Sequence, residues 1–113
     1  MPEGIYKLET KGPAGSSSGI IVLKDGRIVG TDGGVDYAGT YARTGFCGPV
    51  QADIVCTVHQ GTTLVMGGGP QLYPSSFSVT ATFPVTRSGP LAVTMPPGSP
   101  PVTANISYLR PLP

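Results

Sequence analysis

The sequence predicts an all-β protein, folded as a single eight-stranded antiparallel β-barrel that spans residues 1–113. Apolar and polar residues alternate with period two through most of the chain, as they do in strands that bury one face, and helical spacing does not recur. The 17 glycines and 13 prolines fall between these short segments and mark turns. With 12% charged residues the chain has few groups to protect the open edges of a sandwich, so we expect closure into a barrel.

The first half of the chain predicts five strands separated by turns. They cover residues 6–9, 19–24, 27–30, 37–42 and 52–59. Between the second and third strands, Asp25-Gly26 predicts a two-residue hairpin, because both residues tolerate positive φ. We expect Gly12-Pro13 and the serine run at 16–18 to end the first strand, and Gly33-Gly34 to form the turn before the fourth.

The second half predicts strands at 77–85, 91–95 and 102–108, which gives eight strands in all. A short, weaker strand is also indicated at 62–66. The clearest alternation places Phe77, Val79, Ala81 and Phe83 on one face and hydroxyl side chains on the other. An eight-stranded barrel has an interior just wide enough for side chains or for one small ligand.

Composition limits the partners. Seven Lys and Arg against six Asp and Glu give a net charge of +1, which offers no basic surface for direct binding of nucleic acid. The apolar runs are too short for a membrane span, and the start of the chain lacks an export signal, so we expect a cytoplasmic protein with reduced cysteines. Every acidic residue lies at or before Asp53, which leaves the second half poor in charge. A face there should be buried by another chain, and we expect a homodimer.

The groups that could support catalysis are Cys47, Cys56, His59, the four aspartates, and Glu3 or Glu9. Cys56 and His59 are three residues apart, so on one strand they point to opposite faces and cannot pair directly. We expect a buried free thiol at Cys56 and a solvated His59. One histidine and two separated cysteines do not supply a metal site, and hairpin chemistry explains the glycines of Asp32-Gly33-Gly34-Val35-Asp36 better than a calcium loop does. No catalytic residue, metal or cofactor is therefore predicted.

The N-terminal part contains a recognisable order of motifs. They are Gly4-Ile5-Tyr6, the small-residue stretch Ser16-Ser17-Ser18-Gly19, the segment 20–30 with its Lys-Asp-Gly hairpin, an Asp/Gly turn, and Tyr37-Ala38-Gly39-Thr40-Tyr41. Over roughly residues 4–60 this order resembles the GrlR family, small bacterial negative regulators of type III secretion. The resemblance implies a lipocalin-like, up-and-down barrel that forms a homodimer, has no catalytic activity and binds a protein partner.

The best known member of that family sequesters a helix-turn-helix transcription activator, partly through an acidic Glu-Asp-Glu-Asp loop. The matching stretch here is Arg43-Thr44-Gly45-Phe46-Cys47-Gly48-Pro49, which has no acidic residue. The activator-binding role is therefore not transferred to any residue of this chain.

The sequence thus favours a non-catalytic barrel that binds either a protein partner, such as a transcription regulator, or a lipid-like small molecule in the barrel mouth. Aromatic side chains are the candidate binding residues, and they are Tyr37, Tyr41, Phe46 and Phe83. Two alternatives are a small enzyme that uses Cys47 or His59, and a structural subunit of an assembly, for which uncharged strands would serve.

Overall fold

The computed structural model describes residues 3–13, 15–43, 45, 49–59, 75–83, 88–98 and 102–112, and these form an all-β structure. Its strands are β1 (Gly4–Gly12), β2 (Gly15–Lys24), β3 (Arg27–Thr31), β4 (Val35–Arg43), β5 (Val50–Val58), β6 (Ser75–Phe83), β7 (Gly89–Thr94) and β8 (Thr103–Arg110). Each strand pairs antiparallel with the next, and β8 pairs with β1, so the eight strands close into an up-and-down barrel. This confirms the predicted fold class. Within the described ranges, no helix is long and apolar enough to cross a membrane.

The period-two alternation decides which side chains fill the barrel. Val79, Ala81 and Phe83 of β6 are buried, whereas Ser78 and Thr80 between them are exposed. The same alternation buries Ala104 and Ile106 of β8. The inward faces predicted from the sequence for these strands are confirmed.

The β2–β3 hairpin has the predicted turn. Asp25 and Gly26 have φ values of 52° and 77°, the pair of positive angles that a tight two-residue hairpin requires. Lys24 pairs with Arg27 directly beside the turn. Local turn chemistry therefore fixes the register of β2 against β3.

The prediction that the serine run ends the first strand is wrong. Gly12 pairs with Gly15, so two residues join β1 to β2, and Ser16, Ser17 and Ser18 lie within β2. Ser16 and Ser18 are exposed, and a small hydroxyl side chain on the solvent face of a paired strand costs little. The predicted strand at 62–66 and the end of the predicted strand 77–85 lie outside the described residues.

One end of the barrel, the plugged end, is filled by large side chains near the β2–β3 hairpin. The largest fully buried ones include Tyr6, Leu23, Ile28 and Phe83. Tyr6 also meets the ring of Tyr108 edge-on, with ring centroids 5.3 Å apart. This end is a packed core with no room for a ligand.

Gly39 allows β4 and β5 to approach closely. A Cβ at this position would overlap the carbonyl oxygen of Asp53 and lie 2.9 Å from Cα of Ile54. The obstacle is the backbone of the paired strand, so a side chain at position 39 would push the two strands apart.

Candidate binding cavity

The barrel interior beyond the plugged end holds a cavity of about 290 Å³. All eight strands contribute to its wall, which extends to the opposite end, where the β3–β4 turn lies; we call this the turn end. Most lining side chains are apolar, among them Val35, Ile54, Phe77, Val79 and Leu91. The shape is a cup that is closed at the bottom by Ile28 and Phe83.

Asp32 forms a polar corner in this apolar wall. Its Oδ2 accepts hydrogen bonds from Ser17 Oγ at 2.9 Å and from the Tyr37 hydroxyl at 3.0 Å. Its Oδ1 accepts from the backbone N–H of Gly34 at 3.0 Å and of Val35 at 2.7 Å. Burial raises the pKa of this carboxyl, but the four hydrogen bonds together hold the pKa below its ordinary value. Asp32 is therefore ionised at neutral pH.

The β3–β4 turn orients Asp32 toward the cavity. The backbone N–H of Asp32 donates to the carbonyl of Val35 at 3.1 Å, and the side chain accepts from residues two and three positions later, an Asx-type turn. Gly33 takes a positive φ of 94°, which an L side chain rarely adopts. The sequence Asp-Gly-Gly thus positions the Asp32 carboxylate through hydrogen bonds within the turn itself.

Asp32 and Asp36, the two aspartates of the calcium-loop alternative, lie on different sides of the barrel wall. Asp32 lines the cavity, whereas Asp36 is exposed and its Oδ2 lies 3.0 Å from Nε2 of His59. Among the described residues, no three His, Cys, Asp or Glu side chains are placed so that they could hold a metal ion together.

Two of the four aromatic candidates line the cavity. Tyr37 lies on its wall, and burial and the charge of Asp32 both raise the pKa of its hydroxyl, which therefore stays a neutral donor. Phe83 lies at the bottom and is 1% exposed. Tyr41 is half-buried and packs against the core of the plugged end instead. Phe46 lies outside the described residues.

Sequence reasoning missed Ser17 and Asp32 as parts of this corner. Ser17 was assigned to a turn, although a strand continued to Gly15 would have placed it on the same inward face as Ile21. From the sequence, Asp32 is treated as a turn residue, a possible metal ligand or one of several possible catalytic carboxylates, and not as a ligand-binding group. The alternation that found the apolar wall gives no signal for a polar group in the wall.

The thiol and the imidazole point to opposite sides of β5, as their spacing predicted. Cys56 is a free cysteine, 3% exposed, on the cavity wall. Burial and the charge of Asp32 raise the pKa of its thiol to about 11. His59 lies on the outer surface beside Asp36. Cys47, the other candidate nucleophile, lies outside the described residues.

Comparison with known protein families finds no family model that matches this chain, and no curated protein matches it.

Proposed function

We propose that the protein is a non-catalytic binding protein that holds a small apolar ligand inside its barrel. The observation that supports this function is the cavity of about 290 Å³, with an apolar wall and one polar corner. Ligand sites in proteins are typically apolar concavities with a few polar groups that orient the ligand, and they start at about 300 Å³. The high pKa and burial of Cys56 also argue against a thiol nucleophile.

The distribution of side-chain sizes supports the same function. The chain fills the plugged end with Tyr6, Leu23 and Phe83, so it has bulky residues where it needs a solid core. Around the cavity the inward positions include smaller residues, Val79, Ala81 and Ala104. Larger apolar residues at these positions would close the space and bury more apolar surface.

Titration calorimetry with decanol tests the proposal. We expect one decanol per chain, and a weaker complex for Ala81→Leu, because the added carbons occupy part of the cavity. Ala92→Leu is the matched control, since Ala92 is exposed on β7. Absence of binding to the wild-type protein, or equal loss in both variants, would contradict a ligand site in the barrel.

The outer surface favours a second, protein-binding role. Four outward residues pair in register across β2 to β5 in the order Val22, Val29, Ala38 and Val55. Val29 is 54% exposed and Val55 is 47% exposed, and Ile20 beside them is 42% exposed. We call these five residues the outer apolar stripe. Such a contiguous exposed patch marks a surface that contacts another molecule.

The outer apolar stripe does not lie where the distribution of charged residues predicts the dimer face. The second half was expected to provide the dimer face, but the outward residues of β6 are hydroxyl side chains, among them Ser76, Ser78 and Thr80. These side chains are uncharged yet hydrogen-bond well to water. The apolar stripe lies on the charge-bearing first half instead.

We infer that the stripe joins two copies of this chain. Lys24 and Asp53 lie in one row across the sheet, because Lys24 pairs with Arg27, Arg27 with Thr40, and Thr40 with Asp53. A two-fold axis along the strands, between β3 and β4, places Lys24 against Asp53 of the second copy and Val22 against Val55 of the second copy. The same patch is then complementary to itself in charge and in apolar contact, as an isologous interface requires.

Sedimentation equilibrium of Val29→Lys tests this interface, with Thr80→Lys on the exposed face of β6 as the control. We expect dimers for the wild type and the control and monomers for Val29→Lys. A wild-type monomer at micromolar concentration would contradict the interface.

In addition to ligand binding and dimerisation, we propose the regulatory role that the resemblance to the GrlR family implies. It assumes a cytoplasmic protein that binds a transcription regulator. Co-purification of that regulator from the source bacterium, and its loss in a variant of the outer apolar stripe, would support the role. The role would be contradicted if deletion of the gene for this protein left the expression of the regulator's target genes unchanged.

A further inference from the structure

The polar corner contains a negative charge with no counter-charge among the described residues. Asp32 accepts four hydrogen bonds, and all four donors are neutral groups. Within the described parts of the chain the ion pairs are Lys7 with Glu9 and His59 with Asp36, and neither involves Asp32. The hydrogen bonds stabilise the carboxylate but leave its charge in an apolar wall.

The hydroxyl groups around Asp32 leave acceptor positions toward a ligand. Ser17 and Tyr37 use their hydrogens on Asp32 Oδ2, so the lone pairs of their own oxygens remain to accept hydrogen bonds. The corner therefore offers oxygen acceptors around one negative charge. A positively charged donor satisfies both features, whereas a fatty-acid carboxylate would meet a like charge at Asp32.

We propose that the ligand is a primary alkylamine, whose ammonium group contacts Asp32, Ser17 and Tyr37 and whose apolar tail fills the cavity. This inference rests on the proposed binding function and adds the class of ligand. Because a cavity of 150 Å³ holds benzene, the 290 Å³ found here holds about ten to twelve non-hydrogen atoms. The remaining wall, with residues such as Ile54, Val79 and Leu91, suits an unbranched hydrocarbon tail.

Calorimetry with decylamine, decanol and decanoate tests the head group, since the three tails are the same. We expect the wild-type protein to bind decylamine at least tenfold more tightly than decanol, and decanoate most weakly. Asp32→Asn keeps an oxygen acceptor for the N–H groups of Gly34 and Val35. It removes the charge and replaces Oδ2 with an NH2 group, which donates to the hydroxyl oxygens of Ser17 and Tyr37 instead of accepting from them. In that variant we expect decylamine and decanol to bind equally.

Asp36→Asn is the matched control, because Asp36 is exposed on the outer surface of the next strand. It should keep the preference for decylamine. Decanol or decanoate binding the wild type as tightly as decylamine would overturn the head-group inference and leave the cavity as a binding site. Failure of all three compounds to bind would instead overturn the proposed function. The wild-type order decides the question even if Asp32→Asn does not fold.

Discussion

Removal of the Tyr37 hydroxyl oxygen, a change of one heavy atom, tests the hydrogen bonds of the polar corner. In Tyr37→Phe the ring stays on the cavity wall, but the hydrogen bond of 3.0 Å to Asp32 is lost. Tyr41→Phe is the matched control. Tyr41 lies four residues further along the same strand and faces inward, and its hydroxyl makes no hydrogen bond within the described residues.

The expected cost follows from the charge of the acceptor. A hydrogen bond to a charged group contributes about 1.5–3 kcal/mol when both partners are buried. Asp32 is only half-buried, so we expect about 1–2 kcal/mol for its hydrogen bond from Tyr37. At about 2.1 cal/mol/K per residue, a chain of 113 residues has an unfolding entropy near 0.24 kcal/mol/K, so Tm should fall by about 4–8 °C.

The loss should depend on pH, in a direction set by Asp32. Its pKa is lower in the folded protein than the ordinary value of 3.8, so the folded state binds protons less readily than the unfolded state does. The stability that the carboxylate contributes is fully present above that ordinary value and is lost as the pH falls through the folded pKa. The difference in Tm between Tyr37→Phe and wild type should therefore be full near neutrality and shrink in strong acid.

Thermal unfolding followed by circular dichroism, near neutral pH and well below pH 3.8, measures this difference for both variants. Tyr41→Phe should differ little from wild type at either pH. A Tyr37→Phe loss that is the same at both pH values, or no larger than that of Tyr41→Phe, would refute the hydrogen bond to an ionised Asp32.

Three further predictions concern packing, assembly and reactivity. Gly39→Ala should lower the free energy of unfolding, measured in urea, by about 3 kcal/mol, because the added Cβ would overlap the backbone of Asp53. Ala38→Ser is the control, since Ala38 is exposed on the same strand. Equal stability of the two variants would contradict the close approach of β4 and β5. Lys24→Asp should weaken the dimer in sedimentation equilibrium, and the swap with Asp53→Lys should restore it; a swap that does not restore it would contradict the two-fold arrangement. In the folded protein Cys56 should react with iodoacetamide only slowly, because a pKa of about 11 leaves about one thiolate in a thousand near pH 8. Peptide mass mapping with and without denaturant measures this reactivity, and rapid modification of the folded protein would contradict its burial.

The sequence predicted the barrel because its two determinants are local. Alternation over residues such as Phe77 to Phe83 sets the inward face of one strand at a time, and Asp25-Gly26 sets one hairpin. Antiparallel neighbours joined by short turns then leave little freedom in strand order. The serine run was misassigned because serine is common both in turns and on the exposed face of strands.

The cavity could not be predicted in the same way. Its existence depends on how side chains from different strands fill one volume, and on where the large ones meet at the plugged end. Tyr37 and Tyr41 are equivalent in the sequence pattern and both pack against the core, yet of the two only Tyr37 lines the cavity. Their difference is a matter of height along the barrel axis, which alternation does not encode.

The motifs in the N-terminal part of the chain have two physical roles. Tyr6 and the Asp25-Gly26 hairpin close the plugged end, a requirement that any small barrel must meet in some way. Ser17, Asp32 and Tyr37 form the polar corner, which closure does not require. Asparagine would accept the same backbone hydrogen bonds in the β3–β4 turn without placing a charge in an apolar wall. The negative charge at position 32 therefore has no role in building the turn, and a cationic ligand gives it one.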